Sequence, residues 1–127
     1  MTLVDGFKDF CNKVDINLND VYAYRMENAT AFCFAEASDE DMNYHIMLIL
    51  CDDNKSADVW VRKPITNLNI LEKINDLNLD YRFYTFAVTE DTLILKCTVD
   101  TNSDIDIVLK EMINMVEIAR KEFKKFK

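Results

Sequence analysis

The side chains best suited to nucleophilic chemistry are one histidine, His45, and four cysteines, Cys11, Cys33, Cys51 and Cys97. A cysteine nucleophile reacts as its thiolate, which needs an electropositive and partly exposed setting. These cysteines lie in apolar strand-like runs or on the apolar face of a helix-like run, and no two form a CxxC pair. The pattern predicts reduced structural thiols, a structural histidine and no catalytic residues. A thiol enzyme that pairs His45 with a cysteine is the least favoured alternative.

An acidic run near the C-terminal end is the second candidate for chemistry. Asp100, Asn102, Asp104 and Glu111 occupy positions 1, 3, 5 and 12 of a calcium-loop pattern. Position 6 of that loop requires a positive φ, and here it holds the β-branched Ile105. A strand end followed by a capped helix accounts for the same acidic residues. We therefore expect no metal site and no cofactor.

Composition excludes several further classes of function. The 127 residues include one glycine and one proline, and 23 acidic against 15 basic side chains give a net charge of −8. Phosphate-cradling loops need glycines, and nucleic-acid binding needs a cationic surface. The sequence shows no signal-peptide pattern and no run near the roughly 18 apolar residues of a membrane span. We expect a cytoplasmic protein that binds neither nucleic acids nor membranes.

Hydrophobic periodicity predicts a single α+β domain over residues 1–127. Strands joined by short turns must pair antiparallel, because parallel pairing needs long crossovers. The predicted fold is an antiparallel sheet of five to six strands flanked by helices, in the order α-β(3-4)-α-β-β-α. Helices are expected at residues 2–14, 67–77 and from 103 onward, and strands at 21–26, 31–37, 44–51, 57–62, 81–88 and 92–99.

Local signals mark where the outer helices begin. Thr2 followed by Asp5 predicts a capping box, and Ser103 is expected to cap the last helix. Gly6 weakens the first helix but allows close packing of its neighbour.

Two wide apolar surfaces indicate burial on more than one side. The strand at 44–51 is apolar on both faces, so we expect it to be central and covered on both sides, with a partner subunit on one. The apolar stripe of the last helix is also wide, which indicates packing under other helices or at a dimer interface. The residues expected to mediate self-association or partner binding are Met112, Met115, Val116, Ala119 and Phe123.

Aromatic residues on the strands suggest an alternative site. Aromatic side chains on strands most often belong to the core. Trp60, Tyr84 and Phe86 are nevertheless expected to line the pocket if the sheet and its helices leave a ligand cavity.

The junction after the second helix carries a family resemblance. The segment at 74–78 contains Asn75 and Asn78 in an Asn-x-x-Asn pattern, and an aromatic strand at 81–86 follows it. This junction, with the long last helix after a hairpin, resembles that of YbjN-like proteins, a family of bacterial sensory transduction regulators. The resemblance implies a curved antiparallel sheet similar to type III secretion chaperones, commonly dimeric and without catalytic residues. We expect the Asn75 amide to bond free backbone groups at this junction, and Arg82 to pair with an acid across the sheet.

The leading hypothesis for function is a non-enzymatic adaptor, regulator or chaperone-like protein of the bacterial cytosol. It is expected to act as a homodimer and to bind another protein or peptide. The alternative is a small-ligand-binding domain that uses the aromatic pocket.

Overall fold

In the part of the chain that the structure describes, a six-stranded antiparallel sheet carries three α-helices on one of its faces. The computed structural model describes residues 2–37, 43–65, 70–89 and 91–126. The helices are α1 (Leu3–Lys13), α2 (Leu71–Asp80) and α3 (Ile105–Phe123). The strands are β1 (Tyr22–Met26), β2 (Ala29–Ala37), β3 (Asn43–Cys51), β4 (Ser56–Pro64), β5 (Thr85–Thr89) and β6 (Thr92–Asp100).

The strands lie in the order β1-β2-β3-β4-β6-β5, and each neighbouring pair is antiparallel. The predicted α+β class, strand number and element order are confirmed. The likeness to type III secretion chaperones stays a prediction. The predicted start of the second helix at 67, and residue 90 in the predicted hairpin turn, lie outside the described residues.

Helix α1 begins and ends as its sequence indicates. Asp5 N–H donates to the Thr2 hydroxyl at 3.1 Å, and Thr2 N–H donates to the Asp5 carboxylate at 3.4 Å, so the predicted capping box is confirmed. At the other end, Asp15 has a φ of 58°, and Ile16 N–H donates to the Cys11 carbonyl at 2.9 Å. This Schellman motif returns the chain toward the helix and brings Ile16 back against the core.

Gly6 marks the point where α1 meets the start of α3. A Cβ atom at Gly6 would lie 2.7 Å from Cγ2 of Ile105, which is closer than non-bonded carbon atoms pack in proteins. The predicted close packing at Gly6 is therefore confirmed. Asn54, in the β3–β4 turn, links the starts of α1 and α3. Its side-chain oxygen accepts from Leu3 N–H at 2.9 Å, and its backbone carbonyl accepts from the Thr101 hydroxyl and from Ser103 N–H.

Several predicted boundaries were wrong, among them the end of α2, which lies at Asp80 rather than at 77. Helix α3 is capped by Asp104, whose carboxylate accepts from Asp106 N–H at 2.9 Å. Ser103 has a φ of 63°, whereas an N-cap residue needs an extended backbone. The aromatic strand begins at Thr85 rather than at 81, because Tyr81 still donates its N–H to Leu77 of α2.

The main core lies between the sheet and the helices. Alternate residues of β3, β4 and β6 point into it, together with the apolar faces of all three helices. A second, smaller cluster lies on the opposite face of the sheet and contains no helical residue. Among the described residues, the sheet therefore has one covered face and one open face.

Candidate functional site

The open face of the sheet is apolar at its centre. Met47 and Ile49 of β3 are only 7% and 9% exposed there, although no described helix lies above them. They pack with small residues of β2 and are flanked by Trp60. The Tyr24 hydroxyl also contacts the Met47 sulfur at 3.6 Å. We call this surface the open face; its members are Tyr22, Tyr24, Met26, Ala29, Ala31, Cys33, His45, Met47, Ile49, Asp58, Trp60, Arg62, Thr85, Ala87, Ile94, Lys96 and Thr98.

Aromatic and sulfur side chains extend the open face along edge strand β1. Tyr22 is well exposed, Tyr24 and Met26 are less exposed than Tyr22, and the three alternate along the strand onto the same side. The Tyr22 and Tyr24 rings lie 5.6 Å apart. These residues were not among the predicted site residues. Their period-two spacing shows in the sequence that they share one side of a strand. It does not show that this side is uncovered, because that depends on the helices packing on the other face.

Charged residues of both signs border this apolar centre. Lys96 places its ammonium group 5.1 Å from the Trp60 ring, which is a cation–π contact. Asp58 accepts a hydrogen bond from the Thr98 hydroxyl at 2.7 Å. Arg62 is half-buried beside exposed His45, its partner in the β3–β4 register.

The three residues predicted to line one pocket do not lie together. Trp60 pairs with Lys96, which pairs with Thr85, so these three share the open face. Phe86 follows Thr85 and therefore points into the main core on the other side. The pocket prediction is corrected accordingly. Trp60 lines only a shallow depression of about 170 Å³ beside Phe83.

Tyr84 belongs to a polar contact with α3 rather than to a ligand pocket. Its hydroxyl donates to the Glu111 carboxylate and accepts from the Asn114 amide at 2.6 Å. Burial and the Glu111 carboxylate raise the pKa of Tyr84 to about 12. Phe86 packs near Tyr81 and Phe123, with ring centroids 5.4 and 6.4 Å apart. These aromatic residues stabilise the seam between β5, α2 and α3.

The five residues of α3 expected at an interface lie inside the core of the protomer. Met115, Ala119 and Phe123 are fully buried, and Met112 and Val116 nearly so. The sequence left open whether this stripe was a dimer seam or core, and the structure assigns it to the core, because α3 lies across β4 and β6 with α1 beside it. The prediction that these five residues form a partner surface is therefore corrected.

The helix–strand junction depends on Asn78. Its amide group donates to the Phe86 carbonyl at 3.0 Å, and its side-chain oxygen accepts from Phe86 N–H at 2.7 Å. This is the backbone bonding expected of Asn75, which is instead exposed on the outer side of α2. Arg82 is also exposed and, within the described ranges, makes no ion pair. The junction prediction is therefore corrected: Asn78 makes the backbone contact, and the roles expected of Asn75 and Arg82 are dropped.

The thiols lie in surroundings that oppose thiolate formation. Burial raises the pKa of Cys11, and it raises the pKa of Cys33 although Arg62 acts in the opposite direction. Burial, with Glu111 and Asp58 nearby, raises the pKa of Cys97 to about 12. Such thiols are poor nucleophiles near neutral pH.

The acidic residues of the calcium-loop pattern have separate structural tasks. Asp100 accepts from Asn102 N–H at 3.2 Å, Asp104 caps α3, and Glu111 contacts Tyr84. Across the ranges that the structure describes, no cluster of three or more His, Cys, Asp or Glu side chains could hold a metal ion.

Within the same described ranges, no helix has the length and apolarity to cross a membrane.

A separate apolar cavity of about 200 Å³ lies between α1, α3 and the covered face of the sheet. No pattern in the sequence predicted this cavity. Its walls belong to segments that are distant along the chain, so spacing alone carried no signal for it. It is lined by Phe10, Ile16, Phe34, Ile46, Met112, Ile113, Val116, Glu117 and Arg120.

Comparisons of the chain with protein-family models, with curated proteins and with solved structures found no match.

Proposed function

We propose that this protein is a non-enzymatic adaptor, regulator or chaperone-like protein of the cytosol that forms a homodimer through its open face. The observation that carries the proposal is the apolar cluster around Met47 and Ile49, on a face that no described helix covers. That cluster is itself buried, but Tyr22, Tyr24 and Met26 beside it are 68%, 38% and 40% exposed. Exposed apolar surface of this kind is typical of protein-binding sites. The predicted homodimer is therefore moved from α3 to the sheet.

The dimensions of the open face suit a second copy of this chain. Six strands at about 4.8 Å spacing span roughly 24 Å, and nine residues at about 3.3 Å extend roughly 30 Å. The face is thus on the order of 700 Å². A stable interface buries about 800 Å² on each partner. Two sheets packed face to face would cover the exposed side chains Tyr22, Tyr24 and Met26. They would also place a partner sheet over the second apolar face of β3, as its sequence predicts.

Charge placement on the open face also suits self-association. A two-fold interface brings each patch against its own copy, so it must be complementary to itself. Asp58 supplies a negative charge, while Arg62 and Lys96 supply positive charges on the same face. A face with both signs can match another copy despite the net charge of −8.

The non-enzymatic part of the proposal is supported by the side chains that could have been catalytic. His45 and Cys33 lie on the open face, whereas Cys11 and Cys97 lie on the covered side. The pKa values of Cys11, Cys33 and Cys97 are raised. The raised pKa of Cys33 opposes formation of the thiolate that a catalytic pair with His45 would need.

The test is sedimentation velocity of the purified chain between about 1 and 100 µM, with a matched pair of variants. Tyr22→Lys places a charge on the open face, where Tyr22 is 68% exposed, and Leu79→Lys does the same on α2, where Leu79 is 84% exposed. We expect a wild-type dimer, at least tenfold weaker association in Tyr22→Lys and no change in Leu79→Lys.

A wild-type chain that stays monomeric at 100 µM would overturn the homodimer proposal. A dimer weakened by Leu79→Lys but not by Tyr22→Lys would move the interface to the helix layer and equally contradict it. The adaptor role is tested by cross-linking in the host. The adaptor role requires that a cross-linked protein also binds the purified wild-type dimer stoichiometrically. If the protein cross-links only to copies of itself, that result would count against the adaptor role.

A further inference from the structure

The cavity between α1, α3 and the sheet is built by the way α1 ends. The two helices touch at Gly6 and Ile105, and the cavity opens further along both of them. Beyond α1, Asp15 adopts a positive φ and turns the chain so that Ile16 forms one wall. Phe10 forms the adjoining wall from α1 itself.

The floor and the opposite wall are equally apolar. Phe34 and Ile46 project from neighbouring strands β2 and β3, where they are direct register partners. Met112 and Val116 line the α3 side, and half-exposed Ile113 lies at the mouth. Ile46 and Val116 are almost fully buried, whereas Phe10, Ile16 and Phe34 keep accessible apolar surface. The walls therefore offer dispersion contacts that the chain itself does not use.

The chemistry of the lining restricts what the cavity would hold. A dry apolar cavity of about 150 Å³ is large enough to bind benzene, and this one has about 200 Å³. Burying a charged group against such walls is costly. The mouth carries one acid, Glu117, and one base, Arg120, so it offers no net charge to select an anion or a cation.

We infer that this cavity is a binding site for a small neutral apolar molecule, about one aromatic ring with one or two added carbon atoms. The inference concerns a site on the covered side of the sheet and does not depend on the homodimer. It supports small-ligand binding as a second activity, at a place other than Trp60, Tyr84 and Phe86.

The experiment is a titration of the full chain with toluene, followed by methyl NMR of labelled isoleucine and methionine. Benzoate, which has a similar ring and a charge, is the matched probe. We expect toluene to shift the methyl signals of Ile46 and Met112 and to raise the melting temperature. Benzoate should need at least tenfold higher concentration for the same shifts.

Val116→Phe fills the cavity and should abolish the toluene-induced shifts while the folded spectrum is kept. If that variant does not fold, Ile113→Trp blocks the mouth from a position that is 55% exposed. Tyr22→Lys, on the open face, is the control and should bind toluene as the wild type does.

Three outcomes would overturn the inference. These are no shifts at toluene saturation, shifts confined to Met47 and Ile49 of the open face, and shifts at Ile46 that persist when the cavity is filled or its mouth blocked. Sedimentation of the same samples reports the dimer separately, so failure of one proposal is distinguishable from failure of the other.

Discussion

The Tyr81 hydroxyl donates a hydrogen bond of 2.7 Å to Oε1 of Glu122, a carboxylate that is only 3% exposed. The second oxygen, Oε2, accepts from the Lys125 ammonium at 2.7 Å. Burial opposes ionisation of this carboxyl, but Lys125 and Tyr81 outweigh burial and hold the pKa of Glu122 below its usual value of 4.5. The contact joins the end of α2 to the last turn of α3, beside Phe86 of β5.

This contact makes stability depend on pH. A depressed carboxyl pKa contributes stability that is present above pH 4.5 and is lost as pH falls through the lower, folded-state pKa. Tyr81→Phe removes one bond to the ionised group and should lower the free energy of unfolding by about 2 kcal/mol at pH 7. Urea unfolding at pH 7 and pH 3 measures the effect, which should shrink at pH 3. Tyr22→Phe, at an exposed tyrosine, is the control, and an equal loss at both pH values for Tyr81→Phe would contradict this assignment.

Cys97 and Cys11 should be unreactive toward alkylating agents in the native protein at pH 8. The pKa of Cys97 is raised to about 12 by its surroundings and that of Cys11 is raised by burial, so both stay protonated. Pulsed alkylation with mass-spectrometric mapping should label them only after urea is added. Rapid native labelling of Cys97 would restore the thiol-enzyme alternative.

Asn78→Ala should cost about 2 kcal/mol in the free energy of unfolding, because it leaves both backbone groups of Phe86 without their side-chain partner. Asn75→Ala changes the same residue type three positions earlier on the exposed side of α2 and should cost less than about 0.5 kcal/mol. Urea unfolding of the two variants gives the comparison. Equal losses would contradict the Phe86 contact as the cause, because Asn→Ala improves helix propensity at both positions.

Gly6→Ala should destabilise the protein although it improves helix propensity. The propensity gain is about 1 kcal/mol, but the new Cβ would lie 2.7 Å from Ile105, and such overpacking costs about 1–3 kcal/mol. In an Ile105→Ala background the clash is gone, so Gly6→Ala should become neutral or stabilising. A double-mutant cycle by thermal unfolding measures this coupling, and additive effects of the two substitutions would contradict the contact.

Local patterns predicted the parts of this fold that depend on neighbouring residues. The Thr2–Asp5 capping box, the order of helices and strands, and the central, two-faced strand at 44–51 all follow from spacing along the chain. The cap of α3 was misassigned to Ser103 because Asp104 beside it is an equally good N-cap type, and only the backbone angles separate the two.

The candidate sites were decided by contacts between distant segments. Sequence alternation shows that adjacent strand residues face opposite sides, but register between strands decides that Trp60 and Phe86 lie on different faces. A wide apolar stripe on α3 is the same whether sheet or partner covers it, and only the packing of all three helices on one face assigns it to the core. The sequence by itself determined which segments are helices and strands and that β3 is apolar on both faces, because those properties are local. The tertiary structure alone decided where the open face and the cavity lie, because both arise where segments far apart in sequence meet.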